Sequence, residues 1–386
     1  MRKNRFALAL VLLSFFCLGA CTGEKASVSV ETPDMATPTP EPTEVPVTEL
    51  VLTGSETEEE LLALAENDAL VRIDAAKMPC CDALLALWEQ IGDRCEIVWE
   101  VPIGDEYFSS LTTELDFSGK HFPDNSELLE KLRFLPCLER VNLMDCGLTH
   151  EDITPVVDRY ENIRFLWVIT ILNYNIRSDV QVFSLLRGDS HGEGGLNEQQ
   201  LDPIFRYCKD LRALDIGHGQ VRDISGIANL KHLKVLILAD NKIRDISPLK
   251  ELKELEYLEL FMNPDIIDFS PLNELNNMVD INLSHDKKLK NLDFIAYMPK
   301  LKKCWVRLAG LDQETVDAAQ IKYPDTEIKY ASKSISSTCG DWRATDRNIA
   351  IRTAFSQWDE VIEFRSWDDI VWREGAEIHW SQPKIS

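Results

Sequence analysis

A sequence period of 22 to 23 residues constrains the fold of this chain more than any other feature. Similar apolar stretches begin at Leu211, Leu233, Leu255, Met278 and Leu301, at intervals of 22 and then 23 residues. Such self-similarity is typical of solenoids, in which each repeat buries its apolar side only against its neighbours. The sequence therefore predicts a stack of coils that shares one continuous core.

The copy "LKVLILADNKIRDISPL" shows what each position does. Leu236 and Leu238 alternate inward from a short strand, whereas Val235 and Ile237 point to the opposite face. Asn241 follows where the chain turns, and a buried amide there can bond backbone groups of adjacent coils. Stacked copies predict a parallel sheet on the concave side, with helices and turns on the convex side.

The spacing LxxLxLxxN, followed by N-x-I-x-D-I-S-P-L, resembles the internalin-type leucine-rich repeat of bacteria over roughly Leu211 to Ile295. The resemblance implies an α/β fold, a curved leucine-rich-repeat solenoid, with regular repeats over 211–330. Two positions depart from the pattern, because Gly219 and Asp286 stand where the asparagine is expected.

Residues 50–210 are predicted to hold degenerate repeats in a duplicated unit of about 68 residues, since Trp99 recurs as Trp167. The stretches "DALLALWEQIG" and "SELLEKLRFL" predict true helices on the convex side, and Cys146 stands at an asparagine position. The solenoid is expected to run from about Val71 to Tyr330 with one interruption near "RGDSHGEGGLNE".

The N-terminus predicts export. Three basic residues precede an apolar run from Phe6 to Leu18, too short to span a bilayer, so residues 1–20 are interpreted as a signal peptide. The ending Leu-Gly-Ala-Cys resembles the lipobox of bacterial lipoproteins, which implies that Cys21 is lipidated and anchors the chain to the outside of the cell membrane. An ordinary signal with a chance cysteine is the alternative. Residues 21–49, rich in Pro and Thr, predict a disordered tether.

The composition favours some classes of binding partner over others. The formal net charge of -24 disfavours nucleic acid as a partner and places membrane contact at Cys21 alone. It favours a neutral or cationic partner, and the alternative is that the charge only keeps an exported protein soluble. The seven histidines are scattered without metal-ligand spacing, so neither a metal nor a cofactor is predicted. Eight cysteines remain after the signal and Cys21, and they are interpreted mainly as core thiols, although export permits disulfides.

The outward strand positions are the candidate ligand-binding surface. Aromatic centres in a polar surround are what a protein interface needs, and Tyr257 is expected beside Ile237 and Asn282. The alternative is that these residues serve strand propensity and pack on one another. The candidate residues are Asp215, His218, Ile237, Tyr257, Glu259, Phe261, Asn282, His285, Trp305 and Arg307.

The sequence favours a lipid-anchored, cell-surface binding protein that holds a protein or peptide on its concave face. Residues 331–386 carry five of the nine tryptophans and are interpreted as a cap on the last coil. No catalytic motif is found, so an enzyme is not predicted. The alternatives are an envelope enzyme with its site in the 187–197 loop or the C-terminal tail, and a structural spacer without a ligand.

Overall fold

A computed structural model describes residues 48–172, 174–185, 196–331, 340–343, 345, 347–349, 351, 355, 370–372 and 378–380. The predictions for the signal peptide, for Cys21, for residues 21–47 of the tether and for the loop at 187–195 lie outside these residues. Within them, parallel strands alternate with helices and turns in a leucine-rich-repeat solenoid of the predicted α/β class.

The first three strands form a small parallel sheet that begins earlier in the chain than the sequence predicts. Its first strand starts at Glu49 rather than near Val71, because Leu50 and Leu52 already alternate towards the core. In chain order the elements are β1 (Glu49–Val51), α1 (Glu58–Ala63), β2 (Arg72–Asp74), α2 (Asp82–Ile91), β3 (Glu96–Val98), and the hairpin β4 (Glu100–Ile103) with β5 (Glu106–Ser109).

A second parallel sheet repeats this arrangement. The elements from the first helix to the hairpin recur at a displacement of 68 residues, as Arg72 and Arg140 at the starts of corresponding strands show, whereas the first strand recurs after 65 residues. Both predicted helices, α2 and α3, are present. The elements are β6 (Glu114–Asp116), α3 (Ser126–Lys131), β7 (Arg140–Asn142), α4 (His150–Arg159), β8 (Arg164–Leu166), and the hairpin β9 (Val168–Ile171) with β10 (Tyr174–Arg177).

The third parallel sheet has seven strands in sequential order and contains the regular repeats. Its elements are β11 (Val182–Ser184), α5 (Glu198–Tyr207), β12 (Ala213–Asp215), β13 (Val235–Ile237), β14 (Tyr257–Glu259), β15 (Asp280–Asn282), β16 (Lys303–Trp305), α6 (Gln313–Lys322) and β17 (Glu327–Lys329). Between β12 and β16 the convex side is formed by 3-10 helices at Ser225–Asn229, Ser247–Glu251, Ser270–Glu274 and Asp293–Tyr297. Further along lie α7 (Gly340–Arg343) and the antiparallel pair β18 (Ile370–Trp372) and β19 (Ile378–Trp380).

Two hairpins interrupt the strand pairing where the sequence predicts continuous stacking. At each interruption a buried serine replaces the missing backbone hydrogen bonds. Ser110 accepts a hydrogen bond from the Trp99 backbone N–H at 3.1 Å and donates one to the Ile97 carbonyl at 3.1 Å. Ser178 makes the same two bonds with Trp167 and Phe165, at 3.2 and 3.0 Å. The serine hydroxyl thus bonds backbone groups that would otherwise be buried without a partner.

The predicted asparagine ladder is confirmed where asparagine is present. The Asn241 amide donates to the carbonyls of Ile216 and Leu238, both at 3.0 Å, and its oxygen accepts from the Val221 backbone N–H at 2.9 Å. Asn263 repeats this pattern one coil later. One coil earlier, Gly219 leaves room for Leu196, whose Cδ1 would lie 2.8 Å from a Cβ at that position.

Asp286 takes the ladder position in the next coil, where it is 1% exposed. One oxygen accepts from the Asn263 backbone N–H at 2.8 Å, and among the described residues the other has no hydrogen-bond partner. Desolvation raises the pKa of this carboxyl well above its usual range, against the lowering effect of the Asn263 hydrogen bond. A neutral acid is therefore the form that the native coil favours.

We expect Asp286→Asn to stabilise the protein at neutral pH. The folded-state pKa of Asp286 is raised, so the protonated carboxyl stabilises the folded protein. This stabilisation is complete below the unfolded pKa of about 3.9 and is lost as pH rises through the folded pKa. The amide remains neutral and adds a donor, so the free energy of unfolding should rise by about 1–3 kcal/mol at pH 8 and change less between pH 5 and pH 8.

Urea unfolding followed by circular dichroism at the two pH values measures this difference. Asn263→Asp is the matched control and should destabilise the protein, with a greater effect at pH 8. Equal stability of Asp286→Asn and the parent protein at pH 8 would contradict the prediction.

Among the described residues, no helix combines the length and the apolar character needed to cross a membrane.

Candidate functional site

The third sheet carries a second apolar cluster on its concave side, apart from the leucine core. At β12 to β14, four of the six side chains that point away from the core are apolar, namely Ala213, Val235, Ile237 and Tyr257, so these strands bury apolar side chains on both faces. The sheet contributes Val182, Ala213, Val235, Ile237, Ala239, Tyr257, Phe261 and Trp305 to this cluster. We call this surface the concave face.

The chain covers the concave face with its own C-terminal segment, which we define as the described residues between 340 and 355. Trp342, Ile351 and Phe355 complete the apolar cluster. The Trp342 ring lies 5.4 Å from the rings of both Tyr257 and Trp305, measured between centroids. Tyr257 is 0% exposed and Trp305 is 3% exposed in consequence.

Polar groups fix the segment on the face. The Asn348 amide nitrogen donates to the Tyr257 hydroxyl at 2.8 Å and to Glu259 Oε1 at 2.9 Å. The Tyr257 hydroxyl in turn donates to the same Glu259 oxygen at 2.5 Å. Beside this group, Arg347 Nε forms a buried ion pair with Asp280 Oδ2 at 2.8 Å. A segment with one amide and one guanidinium therefore meets two carboxylates and a phenol.

Burying these groups has an electrostatic cost. Desolvation raises the pKa of Asp280 even though Arg347 and Lys303 oppose the shift. Desolvation, with Glu259 beside it, also raises the pKa of Tyr257 well above its usual value. The acidic groups of the face thus favour a cation close to them.

Some polar atoms at this interface have no hydrogen-bond partner among the described residues. They include Asp280 Oδ1 and the indole nitrogens of Trp305 and Trp342. A buried donor or acceptor without a partner costs about 1–3 kcal/mol. The C-terminal segment therefore leaves part of the hydrogen-bonding capacity of the face unused.

The structure brings most of the predicted site residues together on one sheet but buries them, and the C-terminal segment covers Tyr257, Glu259 and Trp305 among them. Buried are Asp215, Ile237, Tyr257, Glu259, Phe261, Asn282, Trp305 and Arg307, whereas His218 is exposed and His285 is half-buried.

The register corrects the expected neighbours of Tyr257, whereas His218 and His285 lie just beyond their strands as expected. Tyr257 lies beside Val235 and Asp280, and it is Glu259 that lies beside Ile237 and Asn282, because equivalent strand positions stack in register. His218 and His285 occupy the third position after their strands, with φ of 55° and 67°. They therefore form turns at the rim of the sheet, where His218 Nδ1 lies 2.9 Å from Asp240 Oδ2.

The Trp-rich tail was expected to cap the last coil, and one of its tryptophans, Trp342, lies elsewhere. Trp342 packs on β14 and β16 across the concave face, because its ring fits between Tyr257 and Trp305. Trp358 and Trp367 lie outside the described residues.

The concave sides of the first two sheets are charged and accessible. Arg72 pairs with Glu96 at 2.6 Å across adjacent strands, and Arg140 pairs with Glu114 at 3.6 Å. An open cleft of about 790 Å³ begins there and reaches Trp167 and Tyr207. Its basic side chains include Arg164 and Arg206, which pair with Asp210 and Asp158. Six acidic and four basic side chains line the cleft, so it is mildly acidic.

A smaller cavity of about 440 Å³ lies beside Trp305 at the other end of the concave face. Lys303, Arg307 and Lys329 line it, with Glu327 as the one acidic neighbour in its lining. The concave face is therefore acidic over β12 to β15 and basic over β16 and β17.

Catalytic chemistry finds no geometric support in the part of the chain that the structure describes. His, Cys, Asp and Glu side chains form no group of three there that could hold a metal ion. The seven described cysteines are free thiols, and burial raises the pKa of Cys208 and that of Cys304, the latter to about 12. Buried, protonated thiols match the interpretation as core residues, and Cys339 lies outside the described residues.

Sequence reasoning missed the residues that occupy the face, namely Trp342, Arg347, Asn348, Ile351 and Phe355. Two signals were available. Asn348, Ile351 and Phe355 are spaced by three and four residues, as on one side of a helix. Residues 331–356 also contain four basic and two acidic side chains within a strongly acidic chain.

Comparison with known proteins is consistent with the repeat architecture. The family described as Leucine Rich repeats (2 copies) matches residues 231–274. No curated protein matches the sequence.

Similar solved structures include internalin C2 and internalin InlF of Listeria monocytogenes and the leucine-rich-repeat protein LIC12759 of Leptospira interrogans. Internalin C2 is 18% identical over 60% of this chain and 87% of its own, with a TM-score of 0.30. InlF is 15% identical over 72% and 84%, with a TM-score of 0.26. LIC12759 is 14% identical over 73% and 75%, with a TM-score of 0.29.

We expect Arg347→Ala to release the C-terminal segment from the concave face. The substitution removes the guanidinium that pairs with Asp280, whose side chain is 3% exposed, and leaves it only the weaker effect of Lys303. Breaking a buried pair costs about 3–5 kcal/mol. Hydrogen–deuterium exchange of peptic fragments covering 342–355 should increase strongly. Arg343→Ala, which alters an exposed arginine of the same segment, is the matched control. Equal exchange in the two variants would contradict the prediction.

Proposed function

We propose that this protein is an extracytoplasmic, lipid-anchored binding protein that recognises a protein or peptide on the concave face of its third sheet. The observation that supports this most is that the face is already fitted to polypeptide. It receives an aromatic anchor, an arginine and an asparagine from the chain's own C-terminal segment.

The composition of the face supports recognition of a partner. A protein-binding surface concentrates its energy in a few buried aromatic and arginine anchors surrounded by polar contacts. Tyr257 and Trp305 provide such anchors on adjacent parts of one sheet, and Glu259 and Asp280 add directional polar contacts. All four lie on short strands of the solenoid, so they need little reordering on binding.

The proposed location rests on the N-terminal sequence. Lipidation at Cys21 would hold the repeats outside the membrane on the Pro- and Thr-rich tether, and two acyl chains on one cysteine suffice for stable anchoring. The alternative function is a structural spacer, whose concave face binds no ligand.

Replacing Cys21 by Ala should prevent anchoring. We expect the variant to remain as an unprocessed precursor or to be released from the membrane, because no thiol is available for acylation. Fractionation, immunoblotting and intact-mass measurement distinguish these products. Cys17→Ala, four residues upstream within the apolar part of the signal, is the matched control and should be anchored normally. A processed Cys21→Ala protein that stays in the membrane would contradict the proposal.

Recognition by the concave face can be tested after the full chain has folded. A protease site is introduced within residues 332–339, between β17 and α7, and the folded protein is cut there. We expect the released piece to stay bound non-covalently and to exchange with a synthetic peptide of residues 338–356, as native chromatography and mass spectrometry would show.

The control for this experiment is Tyr257→Ala combined with Trp305→Ala in the same cleavable protein. Loss of two buried aromatic anchors, each worth ~2 kcal/mol or more, should release the cut piece and abolish exchange. If the peptide cannot bind the cut parent protein at any concentration, the face is a packing surface and the proposed function is wrong.

A further inference from the structure

We propose that the C-terminal segment occupies the site of a cationic polypeptide partner, which reaches the concave face only by displacing that segment. This inference rests on the proposed function, since it names the partner and the regulation of the same face. The displaced residues are those that carry Trp342, Arg347 and Asn348 onto the sheet.

The charge of the concave face selects for a cation. Three acids are buried on the outward side of the third sheet, Asp215 on β12, Glu259 on β14 and Asp280 on β15, with exposed fractions of 0%, 1% and 2%. The C-terminal segment places Arg347 against Asp280. Residues 331–356 are net positive by two in a chain whose net charge is -24. The occupant is therefore the basic part of an acidic protein, and an external occupant needs the same charge.

The fit of the C-terminal segment is incomplete, which makes it displaceable. Arg347 reaches Asp280 through Nε and Oδ2, while Oδ1 of the same carboxylate has no hydrogen-bond partner among the described residues. The indole nitrogen of Trp305 is also buried and without an acceptor there. A partner that places a guanidinium across both Asp280 oxygens and a carbonyl against Trp305 would make bonds that the segment does not make.

Covalent attachment compensates for this incomplete fit. A tethered segment competes at an effective concentration on the order of millimolar, so a partner in solution meets a face that is mostly occupied. The apparent dissociation constant of the partner then equals its intrinsic value divided by the fraction of open face. Weakening the segment without altering the sheet must therefore tighten partner binding.

The test uses the intact full-length protein and a fluorescein-labelled peptide of residues 338–356 as the probe. Three probes carry Arg, Ala or Glu at position 347, and binding is followed by fluorescence anisotropy. We expect the Arg347→Ala probe to bind roughly thirtyfold more weakly, because one partner of a buried charge pair is lost. The Arg347→Glu probe should bind more weakly still.

Protein variants separate displacement from mere structural support. Trp342→Ala weakens the segment and should tighten binding of the unaltered probe by about tenfold or more, whereas Arg343→Ala, at an exposed position, should change nothing. Tyr257→Phe keeps the ring but removes the hydroxyl that meets Glu259 and Asn348. The tethered segment and the probe lose the same contact, so the apparent affinity of the probe should change little. A gain in probe binding at Trp342 that Tyr257 does not share is not expected of residues that only stabilise the fold.

The outcomes test the charge selection, the displacement and the proposed function separately. Equal binding of the three probes would overturn the selection for a cation while leaving polypeptide recognition intact. Weaker probe binding to a folded Trp342→Ala protein, as judged by circular dichroism, would overturn displacement. If Trp342→Ala does not fold, the protein cut within 332–339 replaces it and should bind the probe more tightly than uncut protein. No binding of any probe to the cut protein refutes the proposed function itself.

Discussion

Alternation in three-residue strands is the constraint on which the rest of this structure depends. A strand such as β13 can direct one central side chain into the leucine core, and its two flanking side chains must then face the other way. In the third sheet those flanking positions include Val235, Ile237 and Tyr257. Their apolar side chains face away from the leucine core and must be covered from solvent by something else. The sheet therefore needs a second layer on its concave side, and the C-terminal segment of the chain forms that layer.

The repeats could be predicted from the sequence because their signal is local and periodic. Leu236 and Asn241 each perform a role that recurs in the next coil, so spacing alone located the strands, the turns and the ladder. The hairpins could not be located in this way, since their insertion changes neither the leucine pattern nor the displacement of 68 residues. Ser110 and Ser178, which repair the breaks, carry no distinctive local pattern.

The sequence predicts the strand residues of the candidate site but not the segment that covers them, and the reason is again whether the signal is local. Outward positions such as Tyr257 and Glu259 follow from alternation, but what covers them depends on a contact across 91 residues between Tyr257 and Asn348. No repeat period links the two residues. The register error at Tyr257 has a simpler origin, because in-register parallel stacking places equivalent positions side by side and a shift of two residues changes every neighbour.

The three sheets differ in what their concave sides require, and this difference bears on how a protein can keep a buried apolar surface outside its main core. In the first two sheets, paired charges such as Arg72 with Glu96 are compatible with permanent exposure. In the third, an uncovered aromatic surface would be an aggregation site. Covering it with a basic, imperfectly bonded segment of the same chain keeps the surface protected without a partner. The unused hydrogen-bonding capacity of Asp280 and Trp305 then gives a better-matched polypeptide a free-energy reason to replace the segment.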